Sequence, residues 1–370
     1  MMKILWLTNI PSPYRVKFFN ELGKKCDLTV IFEKRSSSER DESWKNFQSD
    51  NFKAIFLSGK SVGVAEAICF SIVKYINKEY DHIVVTNYSD PTGIIAVMYM
   101  RCKGIHYEIE GDGAFPTLKN NRLKGGVKKF ILSKSDICFS TAKMHDKYYI
   151  VNGVSNEKIV RYPFTSICKN EILECPVDPE IKQQLKNQLN VKEQYMVLAV
   201  GQFIFRKGYD NLIKAASYLN ENYGIYIVGG EAPEEYKEIT KKFNCQNVHF
   251  VGFKKSEELT EYYKAADIFV HPTREDIWGL VVNEAMAKGL PVITTNKCIA
   301  GLEMVQNNVN GTIGDVDDIQ YLVTSIKQCC DKKEEYALKA VETAKQYTID
   351  SMVSRHLEVW DNNKGKNYVK

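Results

Sequence analysis

No apolar run in this chain of 370 residues approaches the ~20 residues that a helix needs to span a bilayer. The longest internal one, Gly93 to Met100, falls far short. The N-terminal run Met1-Met2-Lys3-Ile4-Leu5-Trp6-Leu7 stops at Thr8-Asn9 and continues into Pro11-Ser12-Pro13-Tyr14-Arg15, which reads as a strand and a loop rather than a signal peptide. A soluble, cytoplasmic protein is expected. Metal-ligand spacing is missing too. The ten cysteines are scattered singly through apolar segments such as Ala67-Ile68-Cys69-Phe70, with one adjacent pair, Cys329-Cys330, and no CxxC or Cys/His array. That pattern predicts a reduced interior without a metal site. A strong charge of either sign is likewise absent. The 50 Lys and Arg stand against 46 Asp and Glu, a formal +4, too little by itself to argue for nucleic acid. No short-period repeat or low-complexity tract occurs.

Present instead is enough length for two domains of ordinary size, with 44% hydrophobic residues to fill their cores. Apolar strands alternate with amphipathic segments: a strand from Lys3 to Leu7, a helix from Pro13 to Lys24, and strands from Asp27 to Phe32 and Lys53 to Leu57. A helix through Val64 to Asn77, a strand from His82 to Thr86 and a helix from Pro91 follow. After the polar stretch Asn170 to Gln194 the pattern restarts with a strand at Tyr195 to Val200, followed by Gly224 to Val228, Val248 to Phe250, Ile268 to His271 and Pro291 to Thr294. Continuous apolar strands of this kind predict parallel sheets covered on both faces, an α/β class. The expected division is 1–170, 171–347, and a C-terminal segment 348–370 in which Met352, Val353, Leu357 and Trp360 fall at helical spacing. Two tandem units of this kind predict a cleft between the carboxyl ends of their sheets, with a ligand in it.

Two segments of the second half carry chemistry. Gly201-Gln202-Phe203-Ile204-Phe205-Arg206-Lys207-Gly208 directly follows a strand. Its glycines allow close approach of a ligand, and Arg206 and Lys207 can hold phosphate oxygens; a solvated basic loop is the plainer alternative. The second segment runs His271-Pro272-Thr273-Arg274-Glu275-Asp276-Ile277-Trp278-Gly279-Leu280-Val281-Val282-Asn283-Glu284. Gly279 is expected to open a helix that Gly289 ends, so the amides of Gly279, Leu280 and Val281 point outward as a diphosphate site, with Asp276 and Glu284 bracketing the ligand. An acid pair also suits glycoside hydrolysis, but that chemistry needs no phosphate site. Basic residues and a helix terminus beside the acids favour transfer from an activated, phosphate-bearing donor.

With these segments in place the sequence resembles glycosyltransferase family 4, retaining enzymes of the GT-B fold found among bacterial surface-polysaccharide glycosyltransferases. The resemblance is strongest from Val197 to Val316 and extends through Leu132 to Ser140 and Gly153 to Val160. It implies two Rossmann-like domains facing across a cleft. It places Glu284 on the donor ribose and Lys207 on the diphosphate. Asp276, eight residues before Glu284, stands where the family usually has a glutamate touching the transferred sugar, with adjacent Glu275 as a competitor for that role. The arginine that normally accompanies the lysine falls at Gln202, leaving Arg206 as a substitute. The first domain departs further: Asn9 to Arg15 replaces a glycine-rich loop, and Glu110 is the nearest match to a histidine close to the reacting sugar, with Asp112 in the same loop. The family's C-terminal helix commonly crosses back to the first domain.

The implied activity is that of a hexosyltransferase or N-acetylhexosaminyltransferase, moving a sugar from a nucleoside diphosphate to a hydroxyl with retained configuration and no metal or other cofactor. UDP-sugars are preferred to GDP-sugars, with Phe253 and Lys254 placed to contact the base. The expected acceptor is a glycan or a polyprenyl-linked glycan. A non-catalytic glycan-binding subunit, suggested by Gln202 and Glu110, and a nucleotide-sugar epimerase remain as alternatives. Finally, Lys119, Arg122, Lys124, Lys128, Lys129 and Lys134 occupy a stretch without Asp or Glu, interleaved with Leu123, Val127, Phe130, Ile131 and Leu132. Peripheral contact with an anionic membrane surface and a solvated basic face over a buried stripe are both readings of it.

Overall fold

Strand β1 (Lys3–Thr8) sets the pattern of the first unit, since all but its first residue are buried, as a strand covered on both faces requires. The computed structural model describes residues 1–35, 48–62, 64–116 and 122–363, apart from the side chains of 122–124 and 363. It divides into two compact units, residues 1–166 joined by the segment from Thr348, and residues 167–347. The division falls a few residues before the 170/171 boundary expected from composition.

In the first unit β1 is followed by α1 (Pro13–Gly23), β2 (Asp27–Phe32), β3 (Lys53–Phe56), β4 (Lys60–Ser61), β5 (Ala67–Ile68), β6 (His82–Val85), α2 (Pro91–Lys103) and β7 (Glu108–Glu110). Then come α3 (Arg122–Ser133), β8 (Cys138–Ser140), α4 (Lys143–Val151) and β9 (Ile159–Arg161). Its described residues form a parallel sheet of order β3-β2-β1-β6-β7-β8-β9, with β4 and β5 as a separate antiparallel pair. The helix expected from Val64 to Asn77 does not form. That stretch holds β5 and a short 3-10 turn, Phe70–Lys74. Side chains have captured its amides: Ala67 N–H donates to Glu33 Oε2 at 2.8 Å and Cys69 N–H to Thr92 Oγ1 at 3.0 Å. A continuous helical ladder would need those donors elsewhere.

The second unit contains α5 (Pro179–Gln188), β10 (Tyr195–Val200), α6 (Tyr209–Ala216), β11 (Tyr223–Val228), α7 (Glu234–Lys242), β12 (Val248–Val251) and α8 (Ser256–Ala265). It continues with β13 (Ile268–His271), α9 (Leu280–Ala287), β14 (Val292–Thr295), α10 (Ile299–Met304), β15 (Gly311–Gly314), α11 (Ile319–Asp331) and α12 (Lys333–Ala344). The sheet order is β12-β11-β10-β13-β14-β15, all parallel. Val197, Ala199, Ile225, Ile227, Ile268 and Val270 pack one face against α6 and α11.

The last helix, α13 (Ile349–Asn363), belongs to the first unit. Alternate residues of a strand share one face and residues four apart share one face of a helix. Both periods meet here. Glu108 and Glu110 of β7 receive, respectively, the Trp360 ring N–H at 2.7 Å and His356 Nε2 at 2.9 Å. The His356 ring stacks on Phe139 with centroids 4.3 Å apart, and Trp360 stacks on His82. Among the described residues no helix is long and apolar enough to cross a membrane.

Candidate functional site

The order of the second sheet reverses between β10 and β13, so the loops leaving these neighbouring strands diverge and open a crevice at their carboxyl ends. The two loops that chemistry singles out in the sequence, 201–208 and 272–279, are the ones at this point. They are stitched together. Arg206 carbonyl oxygen accepts from Arg274 N–H at 2.7 Å and from Thr273 Oγ1 at 2.8 Å. The Arg274 guanidinium forks onto Asp210 at 2.7 and 2.9 Å, reaches Asp317 at 2.8 Å and lies 4.2 Å above the Phe205 ring. Gly208 permits the approach: its φ is +70°, and a Cβ there would sit 2.0 Å from the Pro272 carbonyl oxygen.

Asp276 is held in backbone and side chain alike. Its N–H donates to the Lys297 carbonyl at 2.8 Å, in an isolated bridge with the segment at Cys298. Its Oδ2 accepts from Lys207 Nζ at 2.6 Å and pairs with His271 Nε2 at 3.0 Å, and Arg206 lies 3.9 Å from Oδ1. Burial opposes ionisation of this carboxyl. The His271 hydrogen bond and the Lys207 charge outweigh it and hold the acid well below the usual carboxylate range. Burial also lowers the His271 pKa, so the imidazole favours its neutral form. Glu275, by contrast, is exposed.

Gly279, with φ +102°, caps the N-terminus of α9, where a Cβ would stand 2.8 Å from Cys298 Sγ. Trp278 is buried and donates its ring N–H to Asn283 Oδ1 at 2.7 Å, which pins the turn into the helix. The first amides of α9 have no intrahelical acceptor. Glu284 sits further along the same helix and accepts from the Tyr263 hydroxyl at 3.0 Å. A cation and an oriented carboxylate therefore meet at the switch point beside a helix N-terminus, with Glu284 more than a turn inside that helix. Together they can hold a diphosphate and the hydroxyls of groups attached to it.

Residues 180–347 match the family model described as glycosyl transferases group 1. The second unit is a group 1 glycosyl transferase domain. A stretch of 126 residues is 33% identical to the lipopolysaccharide glucosyltransferase WaaG of Escherichia coli K12, covering 32% of this chain and 33% of that protein. Another of 202 residues is 29% identical to a 41.2 kDa protein of the cps region of Klebsiella pneumoniae, covering 53% of this chain and 52% of that one. The chain spans about half the length, or less, of each of these two relatives. Among solved structures, Anabaena Alr3699/HepE in complex with UDP superposes with a TM-score of 0.80 over 98% of this chain and 100% of that one, at 17% identity. The fold is GT-B, built from two Rossmann-like units.

Within the group 1 transferase domain, Lys207, Asp276, Gly279, Leu280 and Val281 lie on the two switch-point loops and the helix that follows. Arg206 is exposed and donates to the Glu275 carbonyl at 3.1 Å, and Gln202 is exposed. Phe253 and Lys254 follow β12, three strands from β13; the Phe253 ring is exposed and Lys254 pairs with Glu258 at 3.3 Å. Glu110 belongs to the first unit and is enclosed there. It bonds Arg15, accepts from the Tyr162 hydroxyl at 2.9 Å and pairs with His356, with none of its surface exposed. Its position is that of a structural tether rather than an accessible acid in an acceptor pocket.

Sequence reasoning passed over His271, Arg274 and Tyr263. Two of them had a signal. A histidine closing an otherwise apolar strand, and an arginine in the loop just after it, are polar residues at the carboxyl edge of a buried sheet. Tyr263 had none, since its place opposite Glu284 depends on how α8 packs. Among the described residues, no group of three His, Cys, Asp or Glu side chains is placed to hold a metal ion.

Proposed function

We propose that the chain is a retaining glycosyltransferase that moves a sugar from a nucleoside diphosphate, UDP in preference to GDP, to a hydroxyl of a glycan or polyprenyl-linked glycan. The observation that carries this reading is the convergence of Lys207, Asp276 and the α9 N-terminus at the switch point of a group 1 domain. The UDP named in the Alr3699/HepE structure and the lipopolysaccharide chemistry named for WaaG support the donor and acceptor classes.

In the proposed reaction the bond from the anomeric carbon to the diphosphate oxygen breaks, and the acceptor oxygen bonds that carbon on the same face. The acceptor proton passes to the departing phosphate. Lys207 and the amides of Gly279, Leu280 and Val281 stabilise the diphosphate as its charge grows, Glu284 holds the ribose, and Asp276 orients the sugar. These groups supply the positive charge from the protein itself, so turnover is expected to survive chelation of divalent ions. The test is release of UDP and of glycosylated product from pooled nucleotide sugars. Product formed only when a glycan acceptor is present supports transfer; tight glycan binding without turnover supports a binding subunit instead.

Asp276 rather than Glu275 is assigned to the sugar, because Asp276 faces Lys207 and His271 while Glu275 faces solvent. Asp276→Asn should therefore lower kcat/KM by roughly 10²-fold, a loss typical of an oriented polar group in a transferase site, and Glu275→Gln should change it little. Steady-state kinetics of both folded variants decide this, and the reverse order moves the role to Glu275.

A membrane-facing role for α3 is part of the same proposal. Ile131 and Leu132 of this helix are buried, whereas Val127, Lys129 and Phe130 are exposed, near the sequence position of Lys134, and the end of α4 exposes Ile150 and Val151. Lys119 lies outside the described residues, as do the side chains of Arg122, Leu123 and Lys124. Each Lys near an anionic surface contributes ~1 kcal/mol before screening, enough for peripheral, salt-sensitive attachment to the cytoplasmic face of a membrane. In co-sedimentation with anionic vesicles, Lys128→Glu/Lys129→Glu should release the protein at low salt. Binding equal to wild type, or no wild-type binding, removes the patch as a membrane determinant.

A further inference from the structure

Lys207 and His271 approach the same oxygen of Asp276. Oδ2 has Lys207 Nζ at 2.6 Å and His271 Nε2 at 3.0 Å, while Oδ1 has Arg206 no nearer than 3.9 Å. The cation proposed for the diphosphate is therefore paired with the acid proposed for the sugar. The pair is sheltered, with side-chain exposures of 12% for Lys207 and 13% for Asp276. Salt in solution screens such a pair far less than it would a surface one. A diphosphate drawn toward Lys207 meets a neutralised ammonium with a carboxylate directly behind it.

His271 differs from Lys207 in how it is held. Its side chain is fully buried, and its carbonyl accepts from Thr294 Oγ1 at 2.9 Å. Nε2 faces Asp276, whereas Nδ1 is buried with no hydrogen-bond partner. A neutral ring carrying its proton on Nε2 fits both facts: that nitrogen donates to the carboxylate, and the unpartnered one is a lone pair rather than a stranded N–H. His271 sits at the end of a sheet strand and cannot follow Lys207 away. Lys207, on a long flexible stem in a loop, can move.

We infer that this pair masks the site. A nucleoside diphosphate must draw Lys207 off Asp276, while His271 keeps the carboxylate in place for the sugar. His271 is then a positioning residue, acting through Asp276. This deepens the transferase reading and rests on it.

Masking predicts effects of opposite sign at one residue. Removing the Asp276 charge frees Lys207, so UDP alone should bind Asp276→Asn roughly tenfold more tightly than wild type, the worth of one charged hydrogen bond. Sugar transfer by the same variant should fall. Asp276→Ser, which also removes the charge, is the second variant should the first fold poorly. For His271, replacement by alanine should lower kcat while leaving the donor KM near wild type, and His271→Gln, which restores an N–H donor, should recover part of kcat. Isothermal titration with UDP and with GDP, beside steady-state kinetics, reads all of these. UDP binding to both Asp276 variants no tighter than to wild type overturns the masking. Equal loss of kcat in His271→Ala and His271→Gln overturns the positioning role. Wild type that binds neither UDP nor GDP overturns the transferase reading itself, and the masking with it.

Discussion

Replacing Lys207 by alanine is expected to lower the rate of sugar transfer by roughly 10²–10³-fold, the usual cost of deleting one group that stabilises a developing oxyanion. The fold should tolerate the change. Lys207 ends a short turn, Phe205–Lys207, in a loop that Arg274 ties down through Asp210, Asp317 and the Phe205 carbonyl, and none of those bonds involves the lysine side chain. Asp276 would keep His271 as its partner, so its carboxylate is not abandoned. The loss should appear in kcat, because charge on the leaving diphosphate rises toward the transition state. Glu284→Gln should behave differently. It weakens a contact to the ribose that is present before and during reaction, so it should raise the donor KM more than it lowers kcat. Stopped-time assays of released UDP over a donor concentration series separate the two. If both folded variants transfer sugar at near-normal rates, the site lies elsewhere.

The second large effect is expected at Arg15, far from that site in sequence. Its guanidinium is buried and bonds both Glu110 and Asp112, and Glu110 is buried completely. Removing one partner of a buried pair strands the other charge, at a cost of about 3–5 kcal/mol. Arg15→Met should lose stability of that order, read as a lower urea midpoint in the transition of the first unit, where Trp6 and Trp360 serve as fluorescent reporters. A loss below about 1 kcal/mol would show that Tyr162 and His356 suffice to hold Glu110. The same cluster sets an acid limit. Burial pushes the Glu110 pKa up, but the Arg15 charge and the His356 hydrogen bond bring it down from 4.5 to about 2. A carboxyl depressed in the folded state stabilises above its unfolded pKa and loses that contribution as pH falls through the folded one. Glu110 therefore supports the fold in full above about pH 4.5 and progressively less toward pH 2. Glu110→Gln should flatten the dependence of the urea midpoint on pH across that window.

Much of the second unit was legible because its strands are buried on both faces and read as unbroken apolar runs, as in Met196 to Val200 and Ile268 to Val270. β15 was not. Gly311-Thr312-Ile313-Gly314 has little strand character of its own. It pairs with β14 because Gly311, with φ +159°, lets the backbones meet where a Cβ would lie 2.0 Å from the Val292 carbonyl oxygen. In the first unit the apolar spacing from Val64 to Asn77 suggested a helix, and the reason it fails, two amides claimed by Glu33 and Thr92, involves partners distant in sequence. The candidate site shows the same divide. Lys207, Asp276, Glu284 and the glycine before α9 were visible as a local order of charges and turns. His271 was hidden by the ordinary look of a strand end, and Glu110 was misleading because nothing near it in sequence announces Arg15, Tyr162 and His356. Groups whose meaning is set by the next few residues can be read from the chain; groups whose meaning is set by a distant partner cannot.

The way α13 completes the first unit bears on how the protein is made. Glu108 and Glu110 emerge from the ribosome early, yet the histidine and tryptophan that bond them follow only after the whole of residues 167–347 has been synthesised. Domains generally mature in the order of translation. Here that order is inverted: the second unit has all its segments in hand while the first still waits for its final helix. Until then β7 carries two acids without their closing contacts in the middle of a sheet. A stop codon just before Thr348 would leave the first unit permanently without those contacts.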